Sequence, residues 1–270
     1  IPIEVANTND ETFKWRKDRR KTDRDDALKL ARLSALEMLK TVHIPETKTR
    51  QWRNLIEYRQ SLVARVTAVK NHIRAILDRQ GLSLPPGKKG WTLDALGWLS
   101  RQSMPISEAP PQELWRGMLD MELRQFDDAQ AALDEVEAKL DALAEADSRV
   151  ALVRSIPGVG PRLAETMVAI IDKPERFSNT KQVGCYAGLT PRQYQSGDSN
   201  RQGRISGAGS KLLRSLLVEV SWLARRYNPW LAEVFERVCR GSQARRKIAI
   251  VACARRLLIR AWAMLRDGTP

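Results

Sequence analysis

Two stretches with the same apolar spacing constrain this chain most. Within residues 46–80, Trp52, Leu55, Leu62, Val66, Val69, Ile73 and Ile76 recur three or four positions apart. From about Gln112 to Ala146, Leu119, Phe126, Leu133, Val136, Leu140 and Leu143 do the same. A stripe returning at that interval lies along one side of a helix, as in a coiled-coil seam. Gly81 to Gly90, with Pro85 and Pro86, breaks the first helix; the short apolar stretch Trp91 to Leu99 and a loop with Pro105, Pro110 and Pro111 precede the second. Two long helices joined in this way make an antiparallel hairpin, whose seams pack on each other or on a second protomer. Arg59, Arg65, Lys70, Arg74 and Arg79 lie off the seam, on a solvated face or along a nucleic-acid backbone.

Charge separates the ends from the middle. The net charge is +14, and residues 192–270 alone hold 16 basic side chains against 5 acidic ones. Such clustering is the footprint of a polyanion binder. Three cysteines (Cys185, Cys239, Cys253) lack metal-ligand spacing, and His43 and His72 stand far from any Ser or Cys cluster. A zinc site and a Ser-His-Asp triad are thereby disfavoured. With no apolar run of membrane-spanning length and no signal peptide, the chain reads as cytoplasmic and nucleoid-associated, with no membrane partner. The opening Ile1-Pro2-Ile3-Glu4-Val5-Ala6-Asn7 alternates like a strand and lacks an initiator Met. Its sheet partners are expected upstream or from another chain.

Three local patterns carry chemistry. In Lys21-Thr22-Asp23-Arg24-Asp25-Asp26-Ala27, Thr22 and Asp25 form a capping box for a helix reaching about Leu39. Asp23 and Asp26, three apart on that first turn, can also hold a divalent cation, though two carboxylates need further ligands. In residues 149–171, Ile156-Pro157-Gly158-Val159-Gly160-Pro161 joins two helices: Gly158 and Gly160 permit the turn, and Pro161 suits a first helical position. This is a helix-hairpin-helix pattern, whose second helix presents free N–H groups to a DNA phosphate. Residues 189–214 are polar and Gly- and Ser-rich, bearing Arg192, Arg201, Arg204, Lys211 and Arg214 with the single acid Asp198. They read as a loop that approaches phosphate closely, or as a basic turn before a helix. Arg245-Arg246-Lys247 precedes a last helix, Ile248 to Leu265.

Taken together, the Lys21–Ala27 motif, the helical hairpin, Ile156–Pro161, Tyr186-Ala187-Gly188-Leu189-Thr190-Pro191-Arg192, Ser196-Gly197 and Gly203-Arg204-Ile205-Ser206 resemble the DEDD-type insertion-sequence transposases. These are recombinases with a RuvC-like front domain and a serine-bearing back domain. The resemblance implies a mostly α fold. Residues 1–45 would be the C-terminal part of a RuvC-like (RNase H-like) α/β domain, 46–147 a coiled-coil hairpin, and 148–270 an all-α helix-hairpin-helix transposase domain. It further implies Mg²⁺ at Asp23 and Asp26, the last two acids of the DEDD set, with the first Asp and the Glu upstream of Ile1; Glu4 does not match that Glu. The implied nucleophile is Ser196, with Ser206 the runner-up, and Arg192, Arg201 and Arg204 stabilise the phosphoryl transition state. Gly158, Gly160, Arg162, Lys211, Arg214, Arg245, Arg246 and Lys247 form the nucleic-acid contacts. Implied partners are double-stranded DNA, a structured guide RNA from the element, and further protomers in a dimer or tetramer through the coiled coil. Two other readings stay open: a metal-dependent, structure-selective nuclease using Asp23 and Asp26, and a non-catalytic nucleic-acid-binding remnant.

Overall fold

The structure is a computed structural model, and it describes residues 5–7, 22–85, 90–196 and 199–270, without the side chains of 196, 199 and 200. The chain divides into compact units of residues 1–50 and 51–270. Among the described residues the fold is helical, with one two-stranded sheet. None of its helices is long and apolar enough to cross a membrane.

In the first unit, helix α1 (Asp23–Ala35) starts as its sequence dictates. The Thr22 hydroxyl accepts from the Asp25 amide at 3.2 Å and donates to the Asp25 carboxylate at 2.7 Å. Asp23, Asp25 and Asp26 occupy the first turn, where the helix dipole favours them. The helix stops short of Leu39, and Glu37 turns the chain at φ 56°. The expected opening strand is met only in part, since residues 1–4, Glu4 among them, lie outside the described residues, as does Lys21. Ala6 pairs with Thr41 in an isolated antiparallel bridge. The Asn7 amide donates to the Lys40 carbonyl at 2.8 Å and the Val42 amide to the Val5 carbonyl at 2.7 Å. This stretch thus has one partner within the same chain.

The second unit contains the hairpin. Its arms are α2 (Thr47–Arg79, which begins in the first unit) and α4 (Leu114–Glu145), with α3 (Leu93–Gln102) beside them. Leu62, Val66, Val69, Ile73 and Leu77 of α2 share a buried cluster with Leu119, Phe126, Ala129 and Leu133 of α4 and Leu99 of α3. Of the two open possibilities, the seams pack on each other. The Arg59–Glu137 ion pair and the approach of His72 to Glu122 at 3.6 Å accompany the antiparallel register.

A second cluster holds helices α5 (Ser148–Arg154), α6 (Pro161–Ile171), α7 (Thr180–Tyr186), α8 (Lys211–Ala224), α9 (Pro229–Cys239) and α10 (Arg246–Asp267). α10 is the centre, touching each of α5 to α9 and burying Ile250, Cys253, Ala254, Leu257, Leu258 and Ala261. The hairpin base joins this core through Trp52, Ile56, Leu140 and Ala144. The C-terminal end of α6 is held by cations from elsewhere. Arg53 donates to the Ala169 and Ile170 carbonyls, Arg176 to those of Ile170 and Ile171, and Arg149 to that of Asp172. Each satisfies a carbonyl left over by the helix and suits its negative end.

Candidate nucleic-acid interface and reaction centre

The first turns of α4 to α10 carry no Asp or Glu. α8 opens instead on Lys211 with Arg214 one turn along, and α10 follows Arg245 and opens on Arg246 and Lys247. Cations at the positive end of a helix repel it until an anion arrives, and phosphate is such an anion.

The turn between α5 and α6 is built on Gly158, at φ +89°. A Cβ there would lie 2.5 Å from the Ala224 Cβ at the end of α8, so glycine alone permits both the turn and the contact. Gly160 precedes α6 with no side-chain cap, and Pro161 stands inside the first turn. The amides of that turn are left for water or phosphate. Gly158→Ala is expected to cost about 2–3 kcal/mol through overpacking and backbone strain. A urea titration should show a lower midpoint with an unchanged slope. Arg162 faces the protein: its guanidinium bonds Glu165 at 3.0 Å and pairs with Asp141 of α4. Glu165 is only 1% exposed. Burial pushes its carboxyl above the ordinary carboxylate range, and the Arg162 charge partly offsets the rise.

Residues 191–205 are not the expected loop but a β-hairpin, β1 (Pro191–Ser196) and β2 (Ser199–Ile205). Tyr194 stands opposite Arg201, and Ser196 opposite Ser199. Between Pro191↔Ile205 and Gln193↔Gln202, β2 has one residue more than β1, a bulge at Gly203 and Arg204. A Cβ on Gly203 would meet the Tyr194 ring at 2.7 Å. The base is clamped by backbone and arginine. The Ser206 amide donates to the Thr190 carbonyl at 2.8 Å, and Arg192 donates to the Ser206 carbonyl at 3.3 Å. Arg214 donates to the carbonyls of Ala187 and Ala208 at 3.0 and 2.9 Å, so this guanidinium holds the hairpin in place.

The structure therefore gathers Ser196, Arg192, Arg201 and Arg204 on one ribbon, with all three arginines exposed. Gly197 and Asp198 lie outside the described residues. Ser206 sits half-buried at the ribbon's base. The helix-hairpin-helix turn is elsewhere: Gly158 abuts the last residue of α8, whereas the ribbon leads into the first. The fourteen residues of α8 that lie between them in the chain span about 20 Å. Lys247 is exposed, Arg245 is half-buried, and Arg246 bonds Gln243 and lies 5.7 Å from the Trp222 ring centre. One aromatic residue belongs with this surface and was not singled out from sequence: Tyr194, 58% exposed. Arg192, two positions before it, was the available signal.

Asp23, exposed, and Asp26, half-buried, stay together on the first turn of α1. Among the described residues, no three His, Cys, Asp or Glu side chains come together to hold a metal ion. Two carboxylates do not complete a site for a divalent cation.

Comparison with known proteins matches these regions. Residues 3–81 match the family model of the DEDD-type IS110 transposase domain, and residues 150–236, spanning both the turn and the ribbon, match that of the "Transposase IS116/IS110/IS902 family". The chain is 28% identical over 253 residues to the transposase for insertion sequence element IS1111A of Coxiella burnetii, covering 91% of this chain and 66% of that protein. It is 24% identical over 229 residues to the transposase for element IS1328 of Yersinia enterocolitica, covering 83% and 66%. A pilin gene-inverting protein of Moraxella lacunata is 30% identical over 155 residues, 56% of this chain and 48% of that protein. The chain spans between about a third and three quarters of the length of the curated relatives it matches. With the two domain matches in this order and insertion-sequence transposases among its relatives, the chain is similar to transposases of the IS110/IS116 family over both regions.

Proposed function

We propose that this chain belongs to a DNA recombinase that cuts and rejoins strands through a phosphoserine link at Ser196. The observation that carries the reading is the polar ribbon, which ends β1 on Ser196 and bears exposed Arg192, Arg201 and Arg204. Attack by the serine oxygen forms a new P–O bond as the bond from phosphorus to a sugar oxygen breaks. The serine proton leaves to a carboxylate or water, and the departing sugar oxygen takes up a proton. Guanidiniums nearby stabilise the charge that builds on the phosphorane. A phosphoserine diester retains the reactivity of the bond it replaced, so a second sugar oxygen can reverse the step on another strand. That is cutting and rejoining, in keeping with relatives named for transposition and for gene inversion.

The turn at Gly158 and Gly160, with Lys211, Arg245, Arg246 and Lys247, serves to hold duplex backbone. Asp23 and Asp26 belong to a metal-assisted front domain, where Mg²⁺ would need ligands beyond this pair. A structured RNA from the element guides the reaction, so base specificity resides in pairing rather than in these side chains. Assembly through the hairpin would use its outer face, where Tyr58, Met118 and Met121 are exposed, because its seams are already consumed.

The test is a search for a covalent adduct. The gene's whole product is incubated with element-end DNA, element RNA and Mg²⁺, and a denaturation-resistant protein–DNA species is digested and mapped. A phosphoryl group on the peptide bearing Ser196 is the expected result. Cleavage with no adduct would replace this reading with that of a metal-dependent nuclease.

A further inference from the structure

A cavity of about 440 Å³ opens beside the helix-hairpin-helix turn. That is within the size range of ligand sites. One wall is the turn itself, Ser155 to Pro157, and the other is Trp230 of α9 with Arg260 of α10. Ile156 and Met264 give it an apolar floor. Asn228 holds the walls together: its amide nitrogen donates to the Pro157 carbonyl at 3.3 Å, and its amide oxygen accepts from the Leu231 backbone at 3.2 Å.

Trp230 is out of place for a structural residue. Leu231, Val234 and Phe235 of the same helix are buried, whereas the indole beside them keeps 40% of its surface exposed. Arg260 is exposed as well, and among the described residues no acid pairs with it. A flat π-face, an apolar floor and a guanidinium in one cavity match the parts of a nucleotide: the base stacks on the indole, and the phosphate meets the arginine. Bases within an intact duplex already have both faces covered, so the nucleotide must be unstacked to enter.

We propose that this cavity takes one unpaired nucleotide, of DNA or RNA, at an end, bulge or displaced strand of the nucleic acid held by the adjacent turn. The proposal rests on the reading of the chain as a nucleic-acid enzyme. It adds a preference for locally opened structure, which a recombining strand or a folded RNA provides. A peptide or small apolar ligand is disfavoured by charge, since residues 192–270 hold 16 basic side chains against 5 acidic ones.

Fluorescence anisotropy on the full chain tests it with four labelled duplexes: blunt, with a one-nucleotide deoxy overhang, with the same overhang abasic, and with a ribonucleotide overhang. The overhang carrying a base should bind about tenfold tighter than the blunt and abasic forms, as expected for one base–aromatic stack. Trp230→Ala should erase that preference and leave blunt-duplex affinity unchanged, while Trp230→Phe keeps most of it. Whichever of the deoxy and ribo overhangs binds tighter identifies the source of the nucleotide. Equal binding of overhang and blunt duplexes, or a preference that survives Trp230→Ala, overturns the inference while the proposed function stands. Failure to bind any duplex overturns both.

Discussion

Ser196→Ala is expected to abolish the covalent protein–DNA adduct and to lower strand joining on the order of 10⁴- to 10⁶-fold, the scale seen when a covalent nucleophile is removed. DNA binding should change by less than about twofold, because alanine keeps the strand-forming backbone and removes no charge. Ser206→Ala provides the contrast. The backbone of Ser206 closes the base of the ribbon, through its amide to Thr190 and its carbonyl to Arg192, and alanine preserves both bonds. Substitution there should leave the adduct in place and reduce its rate modestly. Gel analysis under denaturing conditions, with binding measured separately, reads both. An adduct lost with Ser206→Ala and kept with Ser196→Ala would move the nucleophile to the ribbon's base.

The second large effect concerns stability. Arg162→Ala leaves Glu165 buried without its cation. Breaking a buried pair from one side costs about 3–5 kcal/mol. The lower end applies, because Arg162 keeps 21% of its side chain exposed. Urea unfolding at pH 7 should register that loss, and adding Glu165→Gln should recover more than half of it. The pH dependence carries a definite sign. Burial raises the folded-state value of Glu165 above the ordinary 4.5, so over that window the native chain keeps a proton that the unfolded chain releases. Stability from this group is fullest at low pH and falls as pH rises through the raised value. Removing Arg162 removes its charge and its hydrogen bond, two of the three influences that lower the value, and leaves only that of Arg59, so the decline should extend to higher pH in the variant. A loss that stays constant between pH 5 and 8 would show that Arg162 acts by packing alone.

The helices were legible because burial writes itself into spacing. Leu62, Val66, Val69 and Ile73 announce their shared face, and Gly158 and Pro161 mark a turn between two helices. The ribbon at 191–205 was not, since Arg192-Gln193-Tyr194-Gln195 and Arg201-Gln202-Gly203-Arg204 bury no face and so show no apolar alternation. Its pairing is decided by backbone bonds and by the closure around Arg214, neither of which leaves a periodic trace. Charge was legible in amount and illegible in use. Arg162 and Arg214 read as phosphate contacts, whereas one pairs with Glu165 and Asp141 and the other with two carbonyls. For Arg162 a signal existed: Glu165 lies three residues on, within reach on a helix.

Helix α8 joins the two parts of the proposed machinery, and a helix fixes both length and phase. Its span of about 20 Å corresponds to roughly six base pairs at about 3.4 Å each. One residue more would carry the ribbon about 1.5 Å farther and swing it about 100° around the helix axis, away from a strand gripped at Gly158. Nearly a whole turn would have to be added before the ribbon faced the same way again. In the proposed recombinase α8 is thus a gauge, setting how far along a duplex, and on which side, Ser196 arrives from the phosphates that the turn holds.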